Sequence, residues 1–174
     1  WEEPVDDRDK QRYSNMFDAE AIATLRAQSI IARNYESRVA SSVFNSSTWT
    51  GSSLTTAITN EWDDFANAVP LTDVEGAVQK VYAGSGLKAN ALVVNWQVFR
   101  NLRNCDQVIE RIQSQGAGNR TLSSDVTAQM LAMAFDLEYV IVAGASKNSA
   151  TEGQSASVGQ IWSGEYAMVC RVSN

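Results

Sequence analysis

Four places in this sequence carry residue types that do chemistry. Residues 84–95, "GSGLKANALVVN", set two glycines around a serine with a lysine close behind, the composition of a phosphate-cradling loop. Glu61-Trp62-Asp63-Asp64 places three carboxylates beside an aromatic ring, a set able to bind a sugar or a metal. Lys147 follows an apolar run, where a Schiff-base or general-base lysine could stand. Cys105 and Cys170 are the two thiols.

Each weakens against the element that must hold it. A phosphate loop needs strand, glycine turn and then helix, so that backbone N–H groups and the helix N-terminus face the anion. Here a helical pattern over 72–83 precedes Gly84-Ser85-Gly86 and a strand over 91–94 follows, so the glycines read as a helix stop. Asp63 and Asp64 are sequence neighbours, which point to opposite faces of an extended chain, and they read as a solvated loop. Lys147 reads as an exposed loop lysine. The cysteines form no CxxC pair and read as reduced thiols. The sequence has no histidine, which removes Ser-His-Asp and Cys-His catalysis and most zinc sites. The chain is therefore expected not to be an enzyme: no catalytic residue, no cofactor-binding residue and no metal ligand is assigned.

The whole-chain numbers narrow the classes further. The 174 residues suit one domain or one domain with an appendage, and 44% hydrophobic with 20% charged residues describes an ordinary globular protein. The net charge of -6 argues against gripping nucleic acid through phosphates. No apolar run approaches the ~20 residues that span a bilayer, so no membrane is expected as a partner. Trp49, Trp62, Trp96 and Trp162 are spread without a repeat and read as core or interface anchors. The start at Trp1 and the end at "AMVCRVSN" point to processing or truncation.

Residues 1–16 read as an irregular, charged lead-in. From Phe17 to about Phe44 the pattern is helical, with Phe17, Ala21, Leu25, Ala32, Val39 and Val43 on one apolar face expected to turn inward. A helix of about 28 residues is about 42 Å long, the length of a spine that crosses a domain or a subunit boundary. "NSSTWTGSS" ends it, and 54–70 reads as a short strand followed by a loop. Thr72 and Glu75 form a capping box for the second helix, with Val74, Ala77, Val78 and Val81 on its apolar side. Asn95 caps a third helix, Trp96 to Leu102; Ser123 or Ser124 caps a fourth, through about Phe135. "LEYVIVAGA" is a β-branched strand, 146–157 a polar loop, and "VGQIWSGEYAMVCRV" a hairpin or bent strand with Gly164 near its turn. This order gives an α+β fold class.

Taken in order, these pieces resemble the major capsid protein of tailed phages and prophages, of the Hong Kong 97 fold that encapsulin shells share. The likeness is carried by "EEPVDDRDKQRY" before the long helix with "ARNYESRVASSVFN", then "EWDDFANAVPLTDVEGAV" and "GLKANALVVNWQVFRNLRNCDQVIERI". It closes on "AQMLAMAFDLEYVIVAGASKNSATEG" and "GQIWSGEYAMV". The pieces are loose patterns, and their number and order give them weight. The resemblance implies a spine helix and its connection over 17–60, like a peripheral domain, and a mixed α/β region over 61–174 like the axial domain. The family's N-terminal arm, extended loop and C-terminal end have no counterpart here.

What the resemblance implies is a head subunit that self-assembles through pentamers and hexamers into an icosahedral shell around DNA, without sequence-specific binding. Its partners would be itself and, in addition, scaffold, protease and portal proteins. It would be made in the bacterial host cytoplasm and end in the virion capsid. The loops 113–123 and 146–158 are candidate contact segments. Two rivals stand beside this reading: an encapsulin-like shell with protein cargo, and a small non-enzymatic binding module whose long helix packs within one subunit.

Overall fold

A computed structural model describes residues 6–8, 11, 18–114, 122–151 and 153–173. The chain is α+β and divides into two compact units: residues 1–41 with 145–161, and residues 42–144 with 162–174. The hairpin region thus groups with the long helix rather than with 61–174.

The first unit is built on α1 (Ala19–Val43), which continues two residues into the second unit. Asp18 starts it: its Oδ1 accepts the N–H groups of Glu20 at 3.0 Å and Ala21 at 3.2 Å, satisfying donors that the first turn leaves open. Only Ala23 and Ala40 are buried along the helix. The expected inward face is not the buried one: Ala21, Leu25 and Ala32 are exposed, and Val39 and Val43 are half-buried, while Phe17 lies outside the described residues. Sequence period shows that an apolar stripe exists, but not what covers it.

The segment expected to be a polar loop contains a strand. β3 (Ser146–Asn148) pairs antiparallel with β4 (Val158–Gln160), Lys147 opposite Gly159. The side chain of Asn148 closes the connection by accepting from Ser157 N at 2.8 Å and Ala150 N at 3.1 Å. A Ser-Lys-Asn strand has no alternation of apolar residues to announce it, which is why the sequence reading missed it.

The second unit holds the main core. β1 (Ala91–Asn95) lies at the centre of a three-stranded sheet, parallel to β2 (Tyr139–Ala143) and antiparallel to β5 (Met168–Cys170). The stretch expected to be one hairpin is therefore divided between two sheets, β4 pairing with β3 and β5 with β1. Leu92 and Val94 point into the core, with Val140, Val142 and Val169 packed on the same side. α2 (Pro70–Ser85) contributes buried Val74 and Val78. α3 (Trp96–Leu102) adds Val98 and Leu102, α4 (Asp106–Ile112) adds Val108 and Ile112, and α5 (Ala128–Ala134) adds Leu131 and Ala134.

Local chemistry explains the helix ends. α2 begins at Pro70, two residues before the expected capping box: its N-cap, Val69, makes no side-chain bond. Proline fits the first turn because the N–H it lacks has no partner there. The helix stops at Gly86, in the left-handed region at φ 70°, whose N–H donates to Tyr82 O at 2.8 Å. Asn95 caps α3 as expected, accepting from Val98 N at 2.7 Å. α5 is capped by Thr127, not by Ser123 or Ser124, which form a separate 3-10 turn. Asn90 fastens the sheet: its backbone O accepts from Glu138 N and Tyr139 N, and its amide exchanges two bonds with Val172.

Candidate functional site

The residues with chemical potential occupy structural positions. Gly84-Ser85-Gly86 is the end of α2, where the carbonyl ends of the peptides are exposed and the helix carries its partial negative charge. An anion finds no cradle there. Lys147 sits in β3, and its Nζ donates to Ser37 Oγ on α1 at 2.8 Å. Its position in a strand, rather than in a loop, gives it a hydroxyl to hold.

Asp63 and Asp64 are exposed on a loop of tight turns. Asp64 O accepts the N–H groups of Asn67 and Ala68, and both carboxylate oxygens of Asp64 accept from the Asn67 amide. Trp62 turns inward and its indole N–H donates to Asp73 Oδ2 at 2.9 Å. Phe65 O accepts from Asp106 N at 3.0 Å, which brings the start of α4 beside this loop. Sequence reasoning did not join Asp106 to the Glu61–Asp64 group, because only the tertiary fold brings them together.

Buried Cys105 lies at that junction. Its Sγ is 3.4 Å from Trp62 O and 3.5 Å from Asn101 O. Burial, and then the charges of Asp106, Asp63 and Asp64, push its pKa up to about 11. Burial also pushes the Cys170 thiol up. Both cysteines are free thiols, and neither is a ready nucleophile at neutral pH. Among the described residues, no group of three or more His, Cys, Asp or Glu side chains could hold a metal ion. Among the same residues, no helix is long and apolar enough to cross a membrane.

What the molecule does present is uncovered apolar surface. Leu25 is 65% exposed on α1, beside a groove of about 450 Å³ lined by Ile22, Leu25, Arg26, Ser29, Ile30 and Arg33. On the sheet side away from the core, Tyr139 and Ile141 of β2 are exposed next to half-buried Val93. The outer edge of β2 has no strand partner among the described residues. Of the two expected contact loops, 146–158 holds β3 at its start and exposed Val158, the first residue of β4, at its end, with residue 152 outside the described residues; residues 115–121 of the other also lie outside them.

No protein-family model matches the chain. No curated protein matches it either. Among solved structures it is similar to the crystal structure of a phage-related protein from Bordetella bronchiseptica RB50, with a TM-score of 0.70 and 20% sequence identity. That match covers 91% of this chain and 49% of the solved one, so this chain spans about half the length of its structural neighbour. The two chains share a fold.

Proposed function

We propose that this chain is a structural head subunit of a tailed phage or prophage, assembling with copies of itself into a shell that encloses DNA. It is not an enzyme and uses no cofactor, and its place is the virion capsid, after synthesis in the bacterial host cytoplasm. The observation that carries this reading is α1: a helix of 25 residues with only two buried is a poor way to build one subunit's core. It is a good strut for contacts between subunits. Heterologous contacts repeated around an axis close into rings, the geometry from which shells are made.

Three further observations support it. The fold is shared with a phage-related protein, and the ordered sequence likeness points to Hong Kong 97-type capsid proteins. The net charge of -6 suits a wall that surrounds DNA without gripping it.

Negative-stain electron microscopy of the full-length protein, expressed alone, tests the proposal. Closed shells, or rings of five and six, are the expected result. Uniform small particles would overturn it in favour of a binding module. Shells that carry protein and no nucleic acid when isolated from the native host would identify the encapsulin-like alternative.

A further inference from the structure

We infer that the α1 groove docks a second copy of this chain, and that what enters it is the acidic loop Glu61–Val69 of the neighbour. This rests on the assembly reading above and specifies one of its contacts.

Two surfaces of the same molecule carry opposite charge and matching apolar character. The groove offers exposed Arg26 and Arg33, seven residues and two turns apart on one helix face, with Ile22, Leu25 and Ile30 between and beside them. Glu20 and Glu36, the acids of the same helix, do not line it. The groove's polar lining is Arg26, Ser29 and Arg33, and the exposed Arg33 is the cation that the test below reverses.

The loop offers the complement. Glu61, Asp63 and Asp64 are exposed, Asp106 stands beside them, and Phe65 and Val69 are 40% and 39% exposed among these acids. The turns at Asp64 and the Trp62–Asp73 bond hold the loop in shape before any partner arrives, so little ordering cost remains to be met on docking. Groove and loop are made of different, largely exposed residues, so one copy's loop in the next copy's groove is a head-to-tail contact. Such contacts propagate into rings, whereas a two-fold contact would stop at a dimer. Charge complementarity fixes the register and rejects wrong pairings, and the apolar side chains supply the buried contact.

The test is a charge swap in the full-length protein, with shell or ring formation followed by light scattering and electron microscopy, and folding checked by thermal melts. Arg33→Glu and Asp63→Arg are each expected to raise the critical assembly concentration at least tenfold while leaving the melting temperature unchanged. Combined in one chain, they are expected to restore assembly to within about threefold of wild type. Wild-type assembly with either single variant also assembling normally overturns this contact and leaves the capsid reading in place. Impaired single variants without rescue assign the groove to another occupant and likewise overturn it. A wild-type chain that forms no assembly removes both.

Discussion

The indole N–H of Trp62 donates to Oδ2 of Asp73 at 2.9 Å, tying the acidic loop to the first turn of α2. A bond to an ionised acceptor in a half-buried place contributes about 1.5–3 kcal/mol. Trp62 also packs against the main core, so its ring anchors the loop in two ways. Trp62→Phe keeps most of the packing and loses the donor, and is expected to cost about 1–3 kcal/mol in urea unfolding. A double-mutant cycle with Asp73→Ala is expected to give a coupling energy on the order of 1 kcal/mol. A coupling near zero would show that the bond does not hold the loop.

A second loop is stapled from the other end of the same helix. Lys80 Nζ donates to Ser52 O at 2.7 Å, to Thr55 O at 3.0 Å and to Thr56 Oγ1. All three acceptors are neutral, so the ammonium serves as a tether for the 51–56 turn rather than as half of an ion pair. Lys80→Met keeps the stem and removes the donors. Because the loop is exposed, the expected change in global stability is under about 1 kcal/mol. Amide exchange across 52–56 is instead expected to rise on the order of tenfold. Unchanged exchange would show that the backbone turns hold that loop without the lysine.

Cys105 makes stability depend on pH at the alkaline end. Its pKa rises to about 11 in the folded protein from 9.0, because burial and then Asp106, Asp63 and Asp64 disfavour the thiolate. Below pH 9 the thiol is protonated in both states and its contribution is fully present. Between the two values the unfolded chain releases the proton and the folded one keeps it. Stability is therefore lost as pH rises, by about 1.4 kcal/mol per unit at most. Unfolding free energies measured from pH 8 to 11 are expected to fall in wild type and to fall less steeply in Cys105→Ala. Parallel slopes would remove the thiol as the cause.

What the sequence made legible follows from what local chemistry decides. Gly86 as a helix stop, Asn95 as a cap and the β-branched run of β2 depend on nearby residues alone, and the structure has all three. The inward face of α1 is not the one the period suggests, because a 3.6-residue period marks an apolar stripe without saying what packs against it. Thr127 outranks Ser123 and Ser124 as a cap only because Ser123–Asp125 is taken up by a turn of its own. The carboxylates of the acidic loop were visible as residue types. Their union with Asp106, through the bond from its N–H to Phe65 O, was not, since it joins segments distant in the chain.

Asn95 joins three elements with one side chain, and its replacement separates the three. Only 2% exposed, it accepts from Val98 N through Oδ1 to cap α3, and donates through Nδ2 to Trp162 O at 3.2 Å. Trp162 in turn meets the ring of buried Phe44 edge-on at 4.9 Å, so the amide links the end of β1 to the start of the return segment. Losing the cap costs about 1 kcal/mol, and losing the bond to Trp162 O costs about 0.5–1.5 kcal/mol more. Asn95→Ala is expected to lose both. Asn95→Ser keeps a capping oxygen and is expected to lose only the second. Asn95→Asp keeps the cap but sets a buried carboxylate against a carbonyl, and is expected to be at least as damaging as alanine at neutral pH. Gly164 crowds the same amide: a Cβ there would lie 3.2 Å from Asn95 Nδ2. Gly164→Ala is accordingly expected to cost less in the Asn95→Ser background than in wild type. Equal stabilities for the serine and alanine variants at position 95 would show that the cap contributes nothing and that the bond to Trp162 carries the whole effect.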